Sequence, residues 1–236
     1  MGPRNQTRRP EIPPGRRGIR RFTGAALAGR RIGVLGGSFN PAHEGHLHIT
    51  RLALTRLALD QVWWMVSPQN PLKSTGDMAP FADRMASAQR LAAGDNRIVV
   101  TDIETRLNTR YTTDTLRALR TTFPRTHFIW LMGADNLLQI PRWENWATIF
   151  EMVPIAVFDR ATYSFGALAS KAAHRFRRHR LAAREAAAAI MKRPPAWIYF
   201  HTPRHPASST ELRARERPGG GGGRKRQRKA ESPLGT

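Results

Sequence analysis

The sequence predicts an α/β protein: a doubly wound parallel sheet with helices on both faces. Three observations predict it. Short apolar runs of strand length alternate with longer helical patterns along most of the chain. The first run ends in a glycine pair, Gly36-Gly37, that leads directly into a helical pattern. Hydrophobic residues make up 40% of 236 residues, enough to fill the core of one generous domain. A Rossmann-like sheet of this kind binds ligands beyond the carboxyl ends of its strands.

The elements follow in order. Residues 32–35 read as a buried strand stopped by the glycine pair. Residues 44–59 carry Leu47, Leu52, Leu54, Leu57 and Leu59 and suit a helix. Residues 61–66 are the second strand, ended by Ser67-Pro68. Residues 81–93 form a helix with Phe81, Met85, Ala88 and Leu91 on one face. Residues 97–103 are the third strand. Residues 112–123 are a helix ended by Pro124, and residues 127–132 are a fourth strand meeting Gly133. Residues 154–158 are the fifth strand. The Ala/Arg-rich stretch 166–192 is expected to be helical, residues 197–200 to be the last strand, and Ser208 to start a terminal helix. No internal repeat is present.

The net charge of +22 suggests a nucleic-acid partner until its location is noted. Residues 1–31 hold nine Arg and one Glu, residues 171–193 eight Lys/Arg and one Glu, and residues 217–236 six Lys/Arg and one Glu. The remaining chain is nearly neutral. Residues 1–29 mix Arg, Pro and Gly without periodicity, and the five-glycine run Gly219 to Gly223 precedes Arg224-Lys225-Arg226. We therefore expect disordered basic tails over 1–29 and 218–236 around a domain spanning 30–217. Cysteine is absent, which excludes disulfides, thiolate metal sites and a thiol nucleophile. No apolar run approaches the ~20 residues that cross a bilayer, and the N-terminus lacks the apolar stretch of a secretory signal. These features predict a cytoplasmic protein.

The densest chemical signal is Gly36-Gly37-Ser38-Phe39-Asn40-Pro41-Ala42-His43-Glu44-Gly45-His46, between the first strand and the first helix. Paired glycines permit a tight turn and close backbone approach to a ligand. The following helix offers unpaired N–H groups and a positive dipole end, which favour phosphate. His43 and His46 are spaced to point the same way from the helix start. Two imidazoles beside bound phosphate can donate to charge that develops during phosphoryl chemistry. A dinucleotide Gly-x-Gly-x-x-Gly fingerprint and a P-loop Gly-Lys-Ser/Thr are both absent. The histidine spacing is not that of a zincin, and a zinc site would need a third ligand.

This segment resembles the (T/S)-x-x-H and H-x-G-H signature of the nucleotidyltransferase superfamily, with Ser38 to His43 as the front half and His43 to His46 as the back half. The resemblance implies that His43 and His46 stabilise a pentacovalent transition state at the α-phosphate of ATP. Gly36, Gly37, Ser38 and Phe39 then contribute to ATP binding. Ser208-Ser209-Thr210-Glu211-Leu212-Arg213 resembles the superfamily's I-S-S-T-x-I/V-R motif, with Ala207 in place of Ile. Ser208, Ser209 and Thr210 would open a helix whose first N–H groups receive triphosphate oxygens. Arg213 would offer a forked guanidinium to the β- or γ-phosphate and is the third catalytic candidate.

Four further segments resemble nicotinate-nucleotide adenylyltransferases. Ser67-Pro68-Gln69-Asn70-Pro71-Leu72-Lys73 is similar to their P-x-x-x-P-x-K loop, which would turn Lys73 toward a substrate phosphate; a solvated loop lysine is the alternative. Tyr111-Thr112-Thr113-Asp114-Thr115-Leu116 is similar to S/R-Y-T-x-D-T-L, and the backbone N–H of Thr112 would hold the pyridine carboxylate. Met132-Gly133-Ala134-Asp135-Asn136 is similar to G-A-D-N/S, implying that Asp135 binds ribose hydroxyls; simple N-capping is the alternative. Pro141-Arg142-Trp143 matches a loop whose Trp143 stacks on the pyridine ring, with the Glu144 N–H as second carboxylate donor. Asn40 is assigned to the pyridine-nucleotide side. The other five of the six Trp are read as packing residues.

The resemblance implies transfer of the adenylyl group of ATP to nicotinate mononucleotide, with Mg²⁺ bridging the triphosphate and held mainly by phosphate and water. Three alternatives stay open at this stage. One is the amidated mononucleotide as substrate, another the phosphopantetheine enzyme of the same fold. The third is an RNA-binding protein acting through its basic tails.

Overall fold

The computed structural model describes residues 25–68, 78–159 and 164–201. The lysine-bearing loop after Pro68 and the expected terminal helix with its Ser208-to-Arg213 motif lie outside the described residues. A seven-stranded sheet in the order β3-β2-β1-β4-β5-β7-β6 forms the centre. Its strands are β1 (Arg31–Gly37), β2 (Gln61–Val66), β3 (Ile98–Thr101), β4 (His127–Gly133), β5 (Ile155–Phe158), β6 (Arg180–Leu181) and β7 (Trp197–Phe200). Every pairing is parallel. The α/β, doubly wound expectation therefore holds.

Period-two side-chain direction explains how one strand feeds two cores. On β2, Trp63 and Met65 join one cluster while Val62, Trp64 and Val66 join the other. The second face is covered by α1 (Glu44–Arg56), α2 (Phe81–Ala92) and α9 (Ala186–Ala189), which supply Leu47, Ala53, Leu54, Ala88, Ala186 and Ala189. The first face is covered by α4 (Thr112–Thr122), α5 (Ala134–Gln139), α6 (Trp146–Met152) and α8 (Lys171–Arg175), which supply Leu116, Leu119, Leu137, Phe150 and Ala172. Trp64 Nε1 donates to Thr50 Oγ1 at 2.7 Å, tying α1 to β2 inside the core.

Sequence and structure part in three places. Leu27, assigned above to the tail, is buried, and its carbonyl accepts from Thr126 Oγ1 at 2.9 Å. The third strand is shorter than expected, because a one-turn helix α3 (Ile103–Leu107) begins where Asp102 turns the chain. The largest correction is the stretch 166–192, which is not one helix. It breaks into α7 (Ser164–Leu168), α8, a 3₁₀ turn at Arg177–His179, strand β6, a second 3₁₀ turn at Ala183–Glu185, and α9.

The reason lies in which core each piece feeds. Ala172, Ala173 and Phe176 pack into the first cluster, whereas Ala186, Ala189 and Ile190 pack into the second. The segment passes around the sheet edge from one face to the other. A single helix over 166–192 would be about 40 Å long with one buried stripe, and could not do this. Phe176 stacks on Phe150 with centroids 4.2 Å apart, and its carbonyl accepts from Trp197 Nε1 at 2.8 Å, which ends α8. Among the described residues, no helix is long and apolar enough to cross a membrane.

Candidate active site

The strand order reverses between β1 and β4, since the chain winds outward from β1 to β3 and then outward again from β4. Such a switch point opens a crevice beyond the strand ends. Gly36 and Gly37 end β1 there, and Gly133-Ala134-Asp135 leaves β4 beside them.

Gly36 is required by packing rather than by the turn. A Cβ at this position would land on the Trp130 ring. The left-handed residue is instead Phe39, at φ 47°, a conformation costing about 1 kcal/mol or more for a side chain of this size. Phe39 holds it by being 1% exposed, stacked on Trp64 with centroids 5.3 Å apart and against His46 at 4.6 Å.

This turn delivers the histidine pair. His43 is the N-cap of α1, and its Nδ1 accepts from the Gly45 N–H at 3.1 Å. His46 Nδ1 accepts from the His43 N–H at 3.1 Å, completing a reciprocal capping box. An Nδ1 that accepts carries no proton, so this arrangement puts the ring proton of each imidazole on Nε2. The ring centroids lie 3.9 Å apart. The two imidazoles therefore form one unit with fixed tautomers.

Arg84 of α2 holds the turn that leads to this unit, through the Ser38 carbonyl, and was missed by the sequence reading. It is 2% exposed, and among the described residues its guanidinium donates only to main-chain carbonyls. These are Ala79 at 3.0 Å, Ser38 at 2.7 Å, Ser67 at 2.7 Å and Pro68 at 2.8 Å. Burial pushes its pKa below the ordinary arginine range. The available signal was its place on the buried stripe of α2 with Ala88 and Ala92, where an apolar residue is expected. Asn40 serves the same corner: it is buried, and its Oδ1 accepts from the Ala79 N–H at 3.1 Å.

A second missed group, Glu104, is 4% exposed at the start of α3. Burial raises its carboxyl to about 7, against the lowering effect of hydrogen bonds from the Ser67 and Thr115 hydroxyls. Thr115 Oγ1 also lies 2.8 Å from Thr109 Oγ1. Ser67 is thus held through its carbonyl by Arg84 and through its hydroxyl by Glu104.

The segments expected to meet a pyridine ring adjoin one another. Thr113 Oγ1 donates to the Glu144 carbonyl at 2.9 Å, so the first turn of α4, with Thr112, abuts the Trp143-Glu144 loop. Trp143 is half-buried and meets Trp130 edge-on, centroids 6.4 Å apart. Trp130 fills the space above Gly36, so one indole bridges the end of β1 and the Trp143 loop. Asp135 is half-buried in the first turn of α5, where Gly133 is the N-cap residue and no side chain caps the helix. The structure therefore brings together Gly36, Gly37, Ser38, Phe39, Asn40, His43 and His46, and separately Thr112, Trp143 and Glu144, joined through Trp130. Lys73, Ser208, Ser209, Thr210 and Arg213 lie outside the described residues. Among the described residues, no group of three or more His, Asp or Glu could hold a metal ion.

Comparison with known proteins identifies the family. Residues 34–215 match the Cytidylyltransferase-like family. A Parvibaculum lavamentivorans protein named "Probable nicotinate-nucleotide adenylyltransferase" is 52% identical over 187 residues, covering 79% of this chain and 92% of its own length. A Caulobacter sp. (strain K31) protein of the same name is 48% identical, covering 80% of this chain and all of its own. Among solved structures, Plasmodium falciparum nicotinic acid mononucleotide adenylyltransferase complexed with NaAD superposes with a TM-score of 0.59 at 17% identity. It covers 78% of this chain and 83% of its own; at that identity the likeness bears on the fold. Paired imidazoles at a parallel-sheet switch point and close sequence kinship over the whole described domain lead to one conclusion: this chain belongs to the nicotinate-nucleotide adenylyltransferase family, within the cytidylyltransferase-like fold.

Proposed function

We propose that the protein transfers the adenylyl group of ATP to nicotinate mononucleotide, giving nicotinate adenine dinucleotide and pyrophosphate. A 5′-phosphate oxygen of the mononucleotide attacks the α-phosphorus of ATP. The bond from that phosphorus to the bridging oxygen breaks, and pyrophosphate carries the electron pair away. No protein nucleophile takes part, so the enzyme supplies position and charge stabilisation.

His43 and His46 donate Nε2–H to α-phosphate oxygens as negative charge accumulates there. Their locked tautomers remove the need to reorient protons during the reaction. Gly36, Gly37, Ser38 and Phe39 line the phosphate path in the turn before α1. Asp135 accepts from ribose hydroxyls. Trp143 presents its ring face to the pyridine, while the Thr112 and Glu144 N–H groups hold its carboxylate. Lys73, Ser208, Ser209, Thr210 and Arg213 complete the phosphate contacts by their resemblance to family motifs. Mg²⁺ entering with the triphosphate would supply charge neutralisation at its phosphates, and no cluster of His, Asp or Glu among the described residues would hold it.

The observation that carries this reading is the pair of imidazoles, 3.9 Å apart, fixed at the carboxyl end of β1. The test is pyrophosphate release from ATP with nicotinate mononucleotide, its amide, and phosphopantetheine offered side by side. The acid should be turned over fastest. Equal or faster turnover of phosphopantetheine would remove the assignment.

A further inference from the structure

We propose that Arg84 is a positioning residue for adenylyl transfer: it fixes the turn after β1 against the end of β2, so that the imidazole pair and the acceptor phosphate meet at the right distance. The proposal rests on the reading of the site given above.

The geometry is specific. One guanidinium gathers the Ser38 carbonyl, one residue past β1, and the Ser67 and Pro68 carbonyls, just past β2. It also takes the Ala79 carbonyl, which precedes its own helix. Arg84 thereby reaches a residue 46 positions back and holds it with the end of β2 on a single planar group. Only arginine presents enough donors in a rigid fork to do this; a lysine ammonium has three donors at one point. The Phe81 ring packs 5.4 Å from the guanidinium and limits its movement.

The chemical consequence follows from what each carbonyl belongs to. Ser38 precedes Phe39, whose left-handed backbone and contact with His46 set that imidazole's place. Ser67 is held on its other side by Glu104, which also bonds Thr115 of α4. Arg84 therefore lies at the junction between the turn that handles ATP and the chain of contacts leading to the mononucleotide side. A buried cation without a carboxylate partner is costly to a fold. An apolar side chain in the same space would leave four main-chain carbonyls without this donor, so a positioning role is separated from a purely structural one by kcat per folded molecule. Misplacement by about 1 Å at a reacting centre can cost about a hundredfold in rate.

The experiment compares full-length Arg84→Lys and Arg84→Met with the unaltered protein. Folding is read by circular dichroism and thermal midpoint. Pyrophosphate release gives kcat per folded molecule and KM for each substrate. Imidazole NMR signals of His46 are read without substrate. We expect kcat to fall about 10- to 100-fold in Arg84→Lys and further in Arg84→Met, with each KM changing less than about threefold. We also expect a displaced His46 signal that Arg84→Lys partly restores. A kcat within twofold of the unaltered protein in either folded variant overturns the proposal, as does an unmoved His46 signal. If Arg84→Met fails to fold, Arg84→Lys alone decides on the same criteria. Absence of turnover by the unaltered protein with nicotinate mononucleotide would count against the functional reading instead; the substrate-free His46 signal still judges Arg84.

Discussion

The junction of β1 with α1 and the stretch from α7 to α9 are both rich in residues that favour turns and helices, yet they behave oppositely. In the first, the contacts that orient the two imidazoles are short in sequence. His43 and Gly45 are two residues apart and His43 and His46 three. In the second, the fixing contacts come from far away: Trp197 reaches back 21 residues to the Phe176 carbonyl, and Phe150 stacks on the same residue's ring. Local sequence can specify the histidine cap of the first region, although the turn before it is braced by Trp64 and Arg84 from farther along the chain; it cannot specify the second region. Chemistry is concentrated in the first, where rigid local geometry presets a pair of donors. The second serves as a strap around the sheet edge.

The sharpest way to break this contrast is at His46. His46→Ala removes one donor to the reacting phosphate and the acceptor for the His43 N–H. An oxyanion donor of this kind is worth about 3 kcal/mol, so kcat should fall about a hundredfold or more. Steady-state pyrophosphate release measures it. A variant that turns over at the unaltered rate would place His46 outside the reaction and leave the junction as a mere helix cap.

Glu104 tests whether buried polar groups near the site answer to pH. Its ordinary pKa is 4.5 and burial raises it to about 7. Between these values the folded protein keeps the proton while the unfolded chain releases it. The stabilisation is therefore complete below about pH 4.5 and is lost as pH rises through about 7. Glu104→Gln mimics the protonated form and removes the slope. The variant should gain on the unaltered protein by up to about 3 kcal/mol between pH 5 and pH 8, read by urea unfolding. Parallel stability–pH curves for the two proteins would show that Glu104 does not change its protonation over that range.

Trp143 sharpens the comparison on the mononucleotide side. Trp143→Ala should raise KM for nicotinate mononucleotide about tenfold or more, in line with about 1–3 kcal/mol for stacking on a heterocycle, and leave KM for ATP nearly unchanged. Equal losses for both substrates would mean that the ring serves mainly to support Trp130, 6.4 Å away.

What the sequence revealed follows the same division. The strand centres, the sheet class and the His43/His46 unit were legible because apolar runs, glycine stops and capping residues act over a few positions. Arg84 was legible only as a basic residue on the apolar stripe of α2; nothing local shows that a carbonyl 46 positions away will meet it. Glu104 was hidden in the same way: it reads as a surface carboxylate until α3 and α4 fold over it. Gly36 was read as a residue that must lack a side chain, and the structure adds a packing reason: a Cβ there would meet Trp130 on the adjacent strand β4. The 166–192 stretch failed because Ala and Arg favour a helix wherever packing does not object, and here two opposite cores claim its ends.

The basic strap itself offers the smallest and most discriminating effect, because its arginines do different things. Arg180 lies over two rings, 5.5 Å from the Trp197 centroid and 5.7 Å from that of Tyr199. Its charge is thereby spent on packing the edge strand β6 against β7. Arg177 and Arg178 are exposed on the preceding 3₁₀ turn. Arg180→Ala should cost about 1 kcal/mol of stability, the usual worth of a partly exposed cation–π contact. The double change Arg177→Ala with Arg178→Ala should stay within about 0.5 kcal/mol, as surface substitutions do. Neither should alter kcat, since the strap lies at the β6 edge of the sheet, beyond β5 and β7 from the β1–β4 crevice. Chemical unfolding alongside turnover measures both quantities on the same samples. If the Arg177/Arg178 change lowered kcat, the strap would have to reach the reacting groups, and the division of labour between the two regions would be wrong.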